Sequence, residues 1–107
     1  MPKYLLSGSY TAEGMKGLQR DKASGRQQAV RAAFEGLGGR LEALYYALGE
    51  NDWYIIADMP DNVTATAIGV AVSASGMFRT YRTTPLMTVE EVDRALEKSV
   101  QYRPPGG

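Results

Sequence analysis

Apolar positions along this chain recur with two different periods, and the switches between them mark its elements. KYLLSGSY at 3–10 alternates in part, with Tyr4, Leu6, Gly8 and Tyr10 on one side and Leu5, Ser7 and Ser9 on the other. A short alternating run closed by breakers reads as a strand. Thr11 is placed to cap a short helical turn over 12–20, since a hydroxyl there can accept an orphan N–H of the first turn. A clearer helix follows, capped by Ser24. Val30, Ala33, Phe34 and Leu37 form its apolar stripe, while Arg26, Gln27, Arg31 and Glu35 mostly lie off it. Gly38-Gly39 ends that helix, because glycine readily takes the left-handed C-cap conformation.

RLEALYYAL at 40–48 and WYIIADM at 53–59 read as the arms of a hairpin, with Gly49-Glu50-Asn51-Asp52 as a four-residue turn or a bulge near Gly49. Both arms are apolar enough to be inner strands. Pro60 stops the second arm, and Asp61 or Asn62 caps a helix reaching about Ser75 with a narrow stripe of Val63, Ala67, Val70 and Ala74. Gly76 breaks it, and Phe78 to Thr84 form a fourth strand rich in β-branched and aromatic residues. Thr88 and Glu91 have capping-box spacing and open a last helix, whose face runs through Val92, Leu96 and Val100. The order β-α-β-β-α-β plus a terminal helix predicts an α+β, ferredoxin-like sandwich. One domain over 1–103 and a flexible tail at 104–107 are expected.

Two helices cover only one face of such a sheet, yet strand residues of both parities are apolar. Leu44, Tyr46 and Leu48 oppose Leu41, Ala43, Tyr45 and Ala47, and Trp53 and Ile55 oppose Tyr54 and Ile56. This pattern predicts a homo-oligomer, most simply a dimer joined through its sheets, with Tyr46, Trp53 and Tyr102 as interface candidates. The same aromatics could instead line a pocket for a small organic ligand.

Composition removes several alternatives. There is no cysteine and no histidine, so the usual transition-metal ligands, the common haem ligand and the commonest general base are all missing. No cofactor and no metal are expected. Twelve basic and twelve acidic residues leave no net basic footprint, so no nucleic-acid partner is expected. The chain shows no signal-peptide core, and its apolar stretch around Ala65 to Ala74 is short and interrupted by Gly69 and Ser73, so no membrane span and a cytoplasmic location are expected.

MPKYLLSGSYTAEGMKGL at 1–18, GLGGRLEALYYALGENDWYIIADMPDN at 36–62, AVSASG at 71–76 and SVQYRPPG at 99–106 closely resemble the GYD domain family, small bacterial and archaeal proteins mostly of unassigned function. In the stretch that gives the family its name, Gly49 and Asp52 match, while Asn51 stands in place of the tyrosine. The resemblance implies a ferredoxin-like fold related to dimeric α/β barrels, and carries over no catalytic residue. Since related barrels include cofactor-free oxygenases and isomerases, an enzymatic version would use Tyr46, Tyr54 and Asp58 to orient and deprotonate a substrate. A non-catalytic assembly or regulatory module is the competing reading. Asp58, on the parity of Tyr54 and Ile56, needs partners such as Arg79, Arg82 or Tyr81, or else has a raised pKa. Ser7 and Arg82 complete the ligand-facing candidates, with Gly8 making room for a ligand or a neighbouring chain.

Overall fold

The computed structural model describes residues 1–107 in the order β1 (Lys3–Tyr10), α1 (Ala12–Gly36), β2 (Arg40–Tyr46), β3 (Trp53–Asp58), α2 (Asn62–Ala74), β4 (Phe78–Leu86) and α3 (Val89–Leu96). The strands form one antiparallel sheet ordered β2-β3-β1-β4. Two central strands with a crossover helix to each side give the ferredoxin-like arrangement read from the element order. β2 is an edge strand, not an inner one. Its apolar residues reflect cover from α1 on a single face.

Local chemistry fixes the helix ends. The Thr11 hydroxyl accepts from the Gly14 amide at 3.1 Å, and the Asp61 carboxylate accepts from the Thr64 amide at 2.8 Å. Thr88 and Glu91 make both reciprocal bonds of the capping box. α1 is broken between the two helical stretches expected from the sequence. The chain kinks at Lys22, where φ is 64°, and the second stretch follows directly, with no side-chain cap bond from Ser24. Gly38, at φ 81°, then carries the turn that leads into β2.

The core lies between the sheet and the two long helices. Tyr4 and Leu6 of β1, Leu41 of β2, and Trp53, Ile55 and Ala57 of β3 project toward Phe34 of α1 and toward Ala65 and Ile68 of α2. Burying each large side chain of this set stabilises the fold by about 1.5–3 kcal/mol. Gly8 lies on this same face. A Cβ there would fall 2.7 Å from Trp53 Cζ2, so the glycine makes room for the indole and not for a ligand.

The hairpin loop is longer than four residues, spanning 47–52, and the bulge sits between Leu41 and Ala43 instead of near Gly49. That extra residue changes the parity of β2, because two positions of the bulged strand oppose one on its neighbour. Leu41 consequently shares the helix-facing side with Leu44 and Tyr46, while Ala43 and Tyr45 pair with Ile56 and Tyr54 on the other. β4 also continues past Thr84 through Pro85, which an edge strand tolerates because it pairs on one side only.

α3 stands apart from this body. No residue of α3 is buried, and the radius of gyration is 17.0 Å, against about 13 Å for a packed domain of this length.

Candidate functional site

The sheet has one covered face and one open face, and the residues singled out by sequence divide between them. On the open face, the strand registers place Tyr45, Tyr54, Ser7 and Arg82 in one row across β2, β3, β1 and β4. Tyr45 is 70% exposed. Ser7 is buried, and Arg82 is exposed and makes no ion pair. The Tyr54 hydroxyl accepts from the Asn51 side chain at 3.2 Å. An adjoining row of Ala43, Ile56, Leu5 and Thr84 is mostly apolar.

Asp58 belongs to the end of this face, four residues along β3 from Tyr54, which is about 13 Å in an extended strand. Its partners are neither Arg79, Arg82 nor Tyr81. Lys3 Nζ donates to Oδ1 at 2.9 Å and Arg40 Nη2 donates to Oδ2 at 3.1 Å. Lys3 also donates to Glu42, so four charges alternate along the sheet end. The Lys3 ammonium, with Arg40 behind it, holds the Asp58 carboxyl below the ordinary carboxylate value of 3.8, the reverse of what a general base awaiting a proton requires.

That shift fixes a pH dependence. A carboxylate whose folded pKa is depressed stabilises fully above its unfolded pKa of about 4, and the contribution is lost as pH falls through the folded value. Asp58→Asn should therefore unfold at lower temperature than the wild type at neutral pH, with the gap closing in acid. Melting curves at stepwise lower pH check this. A gap that stays constant down to about pH 2 would contradict the assignment.

Tyr46 lies on the opposite, helix-covered face, opposite Trp53. The trio of Tyr46, Tyr54 and Asp58 is thus split between two faces and along one strand, and forms no common site. Tyr102 is exposed in the C-terminal tail, outside all elements.

Tyr46 instead borders a partly open cavity of about 140 Å³ between α1, α2 and the sheet. α1 packs over β2 and β1 and α2 over β4, leaving the gap above the sheet centre. Fourteen hydrophobic side chains line it, with Arg26 as the one charged residue. Tyr10 stacks on Phe78 with ring centroids 5.2 Å apart, and Trp53 meets Phe78 edge-on at 5.7 Å. Burial, reinforced by the Tyr46 hydroxyl, pushes the Tyr10 hydroxyl pKa up strongly, so it stays a proton donor across the ordinary pH range. Trp53 and Tyr81, both among the lining residues, each carry a buried polar atom without a hydrogen-bond partner, Nε1 and the hydroxyl.

Tyr10, Arg26 and Tyr81 were not among the ligand-binding candidates read from the sequence, which named Tyr81 only as a partner for Asp58. Arg26, grouped by the sequence with the residues off the apolar stripe, instead borders the cavity, because it precedes Val30 by four residues and shares its helix face. Tyr10 shares the side of Tyr4 and Leu6 that the alternation of β1 predicts, whereas the placement of Tyr81 depends on sheet pairing, which carries no comparable local signal.

A family model described as the GYD domain matches residues 4–96, from β1 to the end of α3. No curated protein matches the chain.

Proposed function

The chain belongs to the GYD domain family, and from the uncovered face of its own sheet we propose that it works as a self-associating module in which a second copy covers that face. The observation that carries this is α3. An eight-residue helix is marginal in water by itself, yet no residue of α3 is buried by its own chain. Its apolar stripe of Val89, Val92 and Leu96 is open to solvent, Leu96 at 78% exposure, and the chain continues it through Val100 and Tyr102.

The open sheet face has the matching chemistry. Leu5, Ala43 and Ile56 supply an apolar band. The unpaired Arg82 stands beside it, while α3 and its C-cap carry Glu90, Glu91, Asp93 and Glu97. Each copy has one such face and one such helix, so a twofold axis satisfies both reciprocally and closes the assembly. A ligand trapped between the two sheets would meet Tyr54, Ser7 and Arg82, the polar groups of that face. The arrangement favours binding and assembly over cofactor-free oxygenation or isomerisation, because the three residues such chemistry was assigned do not converge.

Sedimentation velocity tests the proposal from both sides of the interface. The wild type should sediment as a dimer at micromolar concentration. Leu96→Glu and Ile56→Glu should each raise the dissociation constant by about 100-fold or more, since the symmetry removes each buried side chain twice. A monomeric wild type, or variants that associate as the wild type does, would overturn it.

A further inference from the structure

We propose that the cavity between α1, α2 and the sheet is a binding site for a monocyclic aromatic carboxylate. At about 140 Å³ it matches the size of an apolar cavity that admits one benzene-like ring, and is too small for a fused polycyclic or nucleotide ligand. The α1 positions on its wall are small where a filled core would carry larger side chains. Ala29 and Ala33 face it, and both are exposed to solvent. Apolar surface is therefore wet at this site, and a ring that displaced the water would gain by burying it.

Polar groups sit at particular places around this lining. Arg26 is the only cation, and its bond to Asp21 is a long one at 3.6 Å, which leaves guanidinium donors for a second carboxylate. Tyr10 and Tyr46 are also on the wall. The three together make a donor-rich edge suited to an anion. Trp53, 4% exposed, and Tyr81 add two buried donors that nothing in the protein accepts from. An oxygen substituent on the ring would supply the acceptor they lack, so a hydroxybenzoate should bind better than benzoate itself.

Trp53 is the only tryptophan, which makes its fluorescence a direct report on this site. Titration of the full chain with benzoate, 4-hydroxybenzoate and neutral benzyl alcohol, read by Trp53 emission and by calorimetry, tests the assignment. Both acids should give saturable binding, the hydroxy acid the tighter. Arg26→Gln should weaken the acids at least about tenfold and leave benzyl alcohol within about twofold. Ala33→Leu should fill the cavity and abolish binding of all three. Arg26→Gln should sediment as the wild type does, so failure here and failure of self-association are separate results. No saturable response to either acid at about 10 mM, or an equal loss of acid and alcohol binding in Arg26→Gln, would overturn the proposal.

Discussion

Gly8→Ala should lower the melting temperature by about 15 °C, corresponding to roughly 3 kcal/mol in a domain of this size. The added methyl carbon would sit 2.3 Å from the Thr80 carbonyl oxygen and 2.7 Å from Trp53 Cζ2. The first is backbone of the neighbouring strand, held in the β1–β4 ladder next to the irregularity at Ser9 and Tyr10. The second is the ring at the centre of the core, itself in contact with Phe78 and Tyr81. Neither can retreat without moving a strand. Gly36→Ala provides the contrast. Nothing lies within 4 Å of a Cβ at Gly36, and its φ is not positive. In the last turn of α1 alanine should therefore raise stability by about 0.5–1 kcal/mol, through the lower entropy of its unfolded chain. Thermal unfolding of the two variants side by side decides the matter. A Gly8→Ala melting point within about 3 °C of the wild type would show that the strand yields where this packing says it cannot.

The contrast between those glycines also shows how far the sequence could be read. Signals confined to one turn of chain were legible: the caps at Thr11, Asp61 and Thr88, the glycine stop at Gly38, and through them the element order. Facts set by pairing between strands were not. A bulge between Leu41 and Ala43 moves one residue, and because side chains alternate with period two it reassigns faces along β2. Tyr46 and Tyr54 lie on opposite faces for a separate reason of pairing: the hairpin sets Tyr45 against Tyr54 and Tyr46 against Trp53. Asp58 illustrates the same limit. Its parity was readable, but its partners Lys3 and Arg40 become neighbours only through the order β2-β3-β1. The cavity depends on the separation of two helices that pack over different strands, which no single segment encodes.

The two faces consequently have different chemical characters. The covered face encloses an aromatic cavity with a single cation on its wall. The open face is an apolar band bounded by charges already paired among themselves, with Arg82 as the exception. The proposed ring site and the proposed assembly surface therefore use different residues. They are linked physically through β1 and β3, whose side chains alternate between the two.

Asp52→Ala should cost about 1–3 kcal/mol, while Asp52→Asn should cost less than about 1 kcal/mol. The sequence places Asp52 at the end of a turn, where an aspartate commonly bonds its own local backbone. Its carboxylate instead accepts from the Tyr10 amide at 2.9 Å, and its own amide donates to the Gly8 carbonyl at 2.8 Å. The loop is thereby tied to the end of β1, beyond the last β1–β3 pair of Gly8 and Trp53. Alanine would leave the part-buried Tyr10 N–H without an acceptor, whereas asparagine keeps an oxygen in place. Since Tyr10 stacks on Phe78 and borders the cavity, loosening this tie should also expose the Tyr10 amide to hydrogen exchange and weaken ring binding. Gly49, the other residue matching the family's signature stretch, has open space around its Cβ position, so Gly49→Ala should be nearly neutral. Denaturant unfolding with amide exchange at Tyr10 separates these cases. If Asp52→Ala stays within about 0.5 kcal/mol of the wild type, the tie to β1 is not what this aspartate contributes, and a direct role at the open loop becomes the better account.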